Sequence, residues 1–234
     1  MHHVVLERWS RGASALHRLD ARAKLIALFA LLVALSLTPP AGLLRAAAFL
    51  LAVVLSGLVC ARLPLTQLLL RAAVVLPFSA SVALVSWFAG DPSRAISLLL
   101  KSYLSASLVL LVVATTPMPD LLTGLKRLGL PAVLTLVIQF VYRYLFVISE
   151  QAQHMRLASA ARLGAGGFRI SAGAVAVLFA RSLARAEHIH WAMLARCGVS
   201  TPRPLLARPF GPPDVLFTVC AVAAAAALAI LSRP

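Results

Sequence analysis

Five long apolar runs, cut apart by proline and glycine, constrain this chain more than any other feature of its sequence. They cover residues 25–37, 43–60, 72–88, 95–114 and 215–231, and Ala21 and Ala23 extend the first at its start. A helix crossing the hydrocarbon core of a bilayer needs about 17 to 25 largely apolar residues. In lipid every backbone N–H and C=O must be satisfied inside the segment, which leaves helices as the form such runs can take. Pro39-Pro40 ends the first run, and 61–64 (Ala-Arg-Leu-Pro) ends the second. Pro77 predicts a kink in the third, Gly90-Asp91-Pro92 a turn after it, and 116–119 (Thr-Pro-Met-Pro) the close of the fourth. With 61% hydrophobic and only 12% charged residues, polar side chains are too few to coat a soluble fold. The chain reads as an all-α integral membrane protein.

Its formal charge is +15, and the basic residues are unevenly placed. Arg8, Arg11, Arg18, Arg22 and Lys24 precede the first run, Arg62 and Arg71 follow the second, and Lys126 and Arg127 follow the fourth, whereas the alternate connections hold Arg45 and Arg94. Cytoplasmic segments accumulate Lys and Arg and meet an anionic leaflet. The N-terminus is therefore expected inside and, after five spans, the C-terminus outside. Nucleic acid is excluded as a partner because aromatic residues do not interleave with the arginines on a polar surface. The N-terminal segment lacks the ordered regions of a secretory signal, so the first span is expected to persist in the mature protein.

Cys60, Cys197 and Cys220 are odd in number and widely spaced, which predicts neither a disulfide framework nor a metal site. His2, His3, His17, His154, His188 and His190 are scattered, and no metal site is expected among them. Within apolar segments, Lys101 is expected to snorkel to the membrane edge. Arg143 reaches headgroups or a partner if its helix lies flat, the favoured reading, and needs an internal counter-ion if that helix spans.

Between the fourth and last runs lie nearly a hundred residues of different character. Asp120–Arg127 carries Leu121, Leu122, Leu125 and Leu128 at helical spacing and predicts a short amphipathic surface helix. Residues 132–148 begin like a span and turn polar without a break through Arg162, where Gly164, Gly166 and Gly167 stop the helix. A second long helical pattern covers 170–196 and ends at Gly198, and prolines 202, 204, 209, 212 and 213 lead to the final run. Three regions follow: 1–117 with four spans, 118–200 with two long helices, and 201–234 with a connector and the fifth span.

The two long helices close on Ala161-Arg162-Leu163 and Ala195-Arg196-Cys197. A guanidinium can grip a carboxylate through paired hydrogen bonds and stays charged when partly buried, so two arginines ending consecutive helices suit docking to a soluble partner. Helix C-termini also favour arginine through the macrodipole alone. Asp20, Arg22 and Lys24, just before the first span, read as an anchor at the membrane edge that holds the helix in register.

The segment Ser14-Ala15-Leu16-His17-Arg18-Leu19-Asp20-Ala21-Arg22-Ala23-Lys24-Leu25 resembles the N-terminal signature S-x-L-H-R-L-D-P-R-x-K-L of the transmembrane T components of energy-coupling factor transporters, in particular the cobalt and nickel type called CbiQ. The chain departs at Ala21, where proline is usual. The span pattern, the long inserted helices and the two arginine-centred tripeptides extend the resemblance over the whole chain. In that family the tripeptides end two cytoplasmic coupling helices and are often Ala-Arg-Gly; here Leu163 and Cys197 take the glycine position, and Gly164 and Gly198 come one residue later.

The resemblance implies a non-catalytic subunit of an ATP-driven importer in a bacterial inner membrane, linking cytoplasmic ABC-type ATPases to a substrate-binding membrane subunit. ATP and magnesium would be bound by the ATPases. The chain itself has no G-x-x-x-x-G-K-[ST] phosphate loop and is expected to hold no cofactor. Ala161, Arg162, Leu163, Ala195, Arg196 and Cys197 would couple to the ATPases. Val137, Phe140 and Val141 would face the substrate subunit, and His17, Asp20, Arg22 and Lys24 would form a structural lock. The expected solute is cobalt or nickel, with a vitamin such as biotin as the alternative. A membrane enzyme needs convergent acid, base or nucleophile groups at membrane depth, and a secondary transporter needs paired broken helices around a polar midplane site; the sequence shows neither pattern.

Overall fold

The computed structural model describes residues 9–10, 12, 14–39, 42–161, 168–196 and 211–231. Among them no strand occurs, and the regular elements are α1 (Ala21–Leu37), α2 (Leu43–Ala61), α3 (Leu65–Ala73), α4 (Leu76–Phe88), α5 (Pro92–Thr115), α6 (Met118–Arg127), α7 (Ala132–Ala161), α8 (Phe168–Ala195) and α9 (Pro212–Leu231). Contacts divide the chain into two units, 1–129 with 206–234, and 130–205.

In the first unit α2 presents Leu43, Ala46, Leu50, Val54, Leu58 and Ala61 inward, a recurrence of three and four residues that keeps one stripe of the helix in contact with its neighbours. Leu31 and Leu35 of α1, Leu68 of α3, Leu104, Leu108 and Leu111 of α5 and Leu228 of α9 complete the core around it. Lipid offers no hydrophobic advantage to helix pairing, so close packing carries the association. Gly57 serves that closeness: a Cβ there would meet Leu111 Cδ2 at 2.8 Å. The outer face is apolar as well, and Phe88 is 81% exposed, as expected of a side chain turned to acyl chains rather than water.

Among the described residues, four helices are long and apolar enough to cross a membrane: α2, α5, α7 and α9. The bent pair α3–α4 makes a fifth if it is one span. The 17 residues of α1 stand at the lower limit of that length. The pair α3–α4 corrects the single kinked span expected over 72–88. Its helices diverge by 46°, and the break falls before Pro77 rather than at it, because the proline ring conflicts with the carbonyl four residues back. That residue is Ala73, where α3 ends. Pro77 then sits in the first turn of α4, where its missing N–H costs nothing.

Lys101 reaches from α5 to the end of α1, where its Nζ donates to the carbonyls of Ser36 (3.1 Å) and Thr38 (2.8 Å). A cation thus closes the C-terminal end of α1, where unsatisfied carbonyls concentrate negative charge.

The second unit is the pair α7 and α8, of 30 and 28 residues. Along α7, Tyr142 meets Phe146 edge-on at 5.3 Å and Phe140 lies 6.2 Å from Tyr144, both at the four-residue spacing that brings side chains together on one face. Further along, Gln151 and Ser159 line a groove with Ala174 and Arg181 of α8, and Gln151 lines another with Arg185 and His188. The expected helices 132–162 and 170–196 are thus present, with Arg162 just outside the described residues.

Candidate functional site

The residues 14–25 build a polar junction where α1 begins. Trp9 offers only a carbonyl to His17 Nε2 at 2.9 Å, so that nitrogen carries the hydrogen. The other ring nitrogen, Nδ1, is hydrogen-bonded to the Ser14 hydroxyl at 2.6 Å. With both nitrogens engaged, His17 fastens the turn before the helix.

Asp20 is the N-cap of α1, and its Oδ1 accepts the Arg22 N–H at 3.0 Å. Ala21 therefore occupies the first helical position, which tolerates proline equally well, and its side chain is buried. Gly124 of α6 crosses at this point: a Cβ on it would meet Ala21 Cβ at 3.0 Å and the Arg22 backbone nitrogen at 3.3 Å. The short amphipathic helix thus seats directly on the first turn of α1.

Lys24, in the first turn of α1, is 2% exposed. Its Nζ donates to the Thr115 carbonyl and the Thr116 hydroxyl, both at 3.0 Å, which places a cation on the C-terminal end of α5. Asp214, buried in the first turn of α9, binds two backbone N–H groups. Its Oδ1 accepts from Asp20 at 2.8 Å and its Oδ2 from Gly211 at 3.0 Å. The second contact is the reach-back of a capping box, and the first ties α9 to α1 across 194 residues of sequence.

Two carboxyl groups therefore sit close together. Burial, then the neighbouring Asp214, pushes the Asp20 carboxyl above the ordinary aspartate value of 3.8, and Arg127 and Lys24 oppose that rise. A carboxyl whose folded-state value is raised contributes stability that is complete below pH 3.8 and is lost as pH climbs through the raised value. Asp20→Asn should remove that segment from the pH dependence of thermal unfolding in detergent. A profile unchanged by the substitution would assign the dependence to another group.

The sequence singled out His17, Asp20, Arg22 and Lys24, and the structure brings them to one junction. It missed Asp214, Thr115 and Thr116. Only Asp214 carried a signal, as the acid in a Gly-Pro-Pro-Asp start to an apolar run. Among the described residues no three His, Cys, Asp or Glu side chains gather as metal ligands would.

In the second unit Val137 and Val141 are exposed on α7, and they continue an apolar stripe from Val133 to Leu145. Phe140 is half-buried beside Tyr144. Ala161, Ala195 and Arg196 are exposed at the helix ends, while Arg162, Leu163 and Cys197 lie outside the described residues.

An all-helical, multi-pass membrane protein with a second unit of two long helices is the class these features define. The profile of the CbiQ family, described as cobalt transport protein, matches residues 12–204, and the chain belongs to that family. The cobalt transport protein CbiQ of Rhodobacter capsulatus is 33% identical over 138 residues, 57% of each chain. An uncharacterized protein of Methanocaldococcus jannaschii, MJ1089, is 35% identical over 95 residues, 39% of this chain and 35% of that one. The matched stretches thus span about half, or less, of these relatives. The resemblance read from the N-terminal signature is borne out.

Proposed function

We propose that this chain is the transmembrane coupling subunit of an ATP-driven importer for cobalt, with nickel as the close chemical alternative. The observation that carries the reading is the pair of long helices, one ending at exposed Ala161 and the other at exposed Ala195 and Arg196, on a chain of the CbiQ family. The cobalt transport protein among its relatives favours a metal ion over a vitamin. In this reading the N-terminus and the second unit are cytoplasmic, in a bacterial inner membrane. Arg162 and Arg196 dock two ABC-type ATPases that bind ATP and magnesium, and the apolar stripe with Val137, Phe140 and Val141 meets a substrate-binding membrane subunit. The polar junction at Asp20, Lys24 and Asp214 holds the bundle rigid, so that closure of the ATPases moves the substrate subunit instead of deforming this chain.

The topology is tested with a single cysteine at exposed Ser171, in a background where Cys60, Cys197 and Cys220 are alanine. A membrane-impermeant maleimide should label it only in inside-out vesicles, and an ABC-type ATPase should co-purify with the unaltered chain. Labelling from the periplasmic side alone would overturn the topology and the docking role with it.

A further inference from the structure

Two cavities of the first unit meet at one thiol. The first, about 800 Å³, is lined by Ser14, Arg18, Arg62 and Pro213, with Cys60 at its edge. The second, about 360 Å³, runs between α1, α2, α5 and α9 and is lined almost wholly by apolar side chains, among them Leu28, Val53, Leu111 and Phe217, again with Cys60. Adjacent residues carry the lining from one to the other: Ala15 to Leu16 in the N-terminal segment, and Pro213 to Phe217 one turn along α9. Ser56, Cys60 and Cys220 of the second lining are exposed, so the slot opens sideways between α2 and α9, toward the surroundings of the bundle.

The first cavity is positive. Arg18 and Arg62 are both exposed, and no Asp or Glu is among the described residues that line it. The backbone at Arg62 adds a second indication. It caps α2 with φ 54°, the sole positive φ among the described non-glycine residues. Helices commonly end in this conformation, but glycine is the usual occupant. A side chain retained where glycine fits better directs attention to what that side chain does, and here it lines the basic cavity.

We propose that these cavities form one binding site for an anionic phospholipid, with the phosphate held by Arg18 and Arg62 and an acyl chain lying in the slot beneath Cys60. Arginine matches phosphate through paired hydrogen bonds. The slot's volume falls within the range of about 300 to 1,000 Å³ typical of small-ligand pockets. Both arginines lie where helices meet the membrane edge, one before α1 and one after α2, so the head and tail of a bilayer lipid would be at their natural depths. Trp9, stacked at 4.6 Å on Arg71 of α3, supplies the kind of aromatic ring that favours the same interface. Such a lipid would join the segment before α1, the end of α2 and the start of α9. The inference needs only a membrane-embedded bundle and is independent of the ATPase docking proposed above.

Native mass spectrometry of the full chain in detergent tests it, with phosphatidylglycerol and phosphatidylcholine of identical acyl chains as the probes. Phosphatidylglycerol should be retained about tenfold or more tightly, given two basic groups at the headgroup. Arg18→Gln with Arg62→Gln should reduce it to the phosphatidylcholine level, and the corresponding lysine pair should keep most of the preference. Inorganic phosphate at millimolar concentration should fail to displace the lipid. On the unaltered chain, phosphatidylglycerol should slow alkylation of Cys60 by N-ethylmaleimide, followed by peptide mass, more than phosphatidylcholine does. Equal retention of the two lipids, or an alkylation rate that neither changes, would overturn the proposal. Full displacement by phosphate would overturn it in favour of a free-anion site.

Discussion

Asp214→Ala should cost about 3 kcal/mol of folding stability, because it takes the acceptor from two backbone donors in a part-buried junction. The Asp20 and Gly211 N–H groups each lose their acceptor, and an unsatisfied buried donor costs about 1 to 3 kcal/mol. One effect runs the other way: Asp214 helps to raise the Asp20 carboxyl, so its removal relieves a repulsion. Burial is the larger cause of that rise, and the relief does not offset two lost hydrogen bonds. Asp214→Asn separates the contributions. Its carbonyl can still accept from Asp20, its amide faces the Gly211 N–H donor to donor, and its charge is gone. About half the loss is expected, with the Asp20 carboxyl displaced toward 3.8 in both variants. Thermal unfolding of the full chain in detergent measures the first quantity and carboxyl NMR the second. Full stability in the alanine variant would show that the tie between α1 and α9 is dispensable.

The order of helices was legible because it rests on local rules. Apolar runs of sufficient length, proline and glycine breaks, and the glycines after the two arginines placed every long helix. Even the α3–α4 break follows from Pro77 once its clash is counted four residues back to Ala73. What escaped depends on distance. The sequence gives Lys101 no partner until the C-terminus of α1 is known to lie beside α5. It gives Lys24 none until Thr115 and Thr116 are known to lie beside it. Asp214 sits 194 residues from the N–H it accepts, a separation that no periodicity bridges. The charges that look like membrane anchors in sequence are used here on helix ends: Asp20 on the start of α1, Lys101 on its finish and Lys24 on the finish of α5. Each has the sign that the helix dipole favours.

The Arg162→Ala, Arg196→Ala double variant should lose its ATPases while the bundle stays folded. Arg196 is exposed at the end of α8, and Arg162 follows exposed Ala161 in the sequence, just outside the described residues. If each guanidinium enters an acidic groove of an ATPase, truncation leaves a carboxylate there without its partner, which costs about 2 to 5 kcal/mol per site. Each single variant should then bind at least about thirtyfold more weakly, and the double variant should fail to co-purify. Lysine at both positions should rescue poorly, since a point charge cannot reproduce the two parallel hydrogen bonds of the fork. That contrast excludes a simple macrodipole role, in which lysine and arginine serve equally at a helix C-terminus. Pull-down of the ATPases from detergent, with thermal unfolding of the isolated chain as control, decides the matter. An intact complex in the double alanine variant, or full rescue by lysine, would return both arginines to helix termination and move the docking surface elsewhere on α7 and α8.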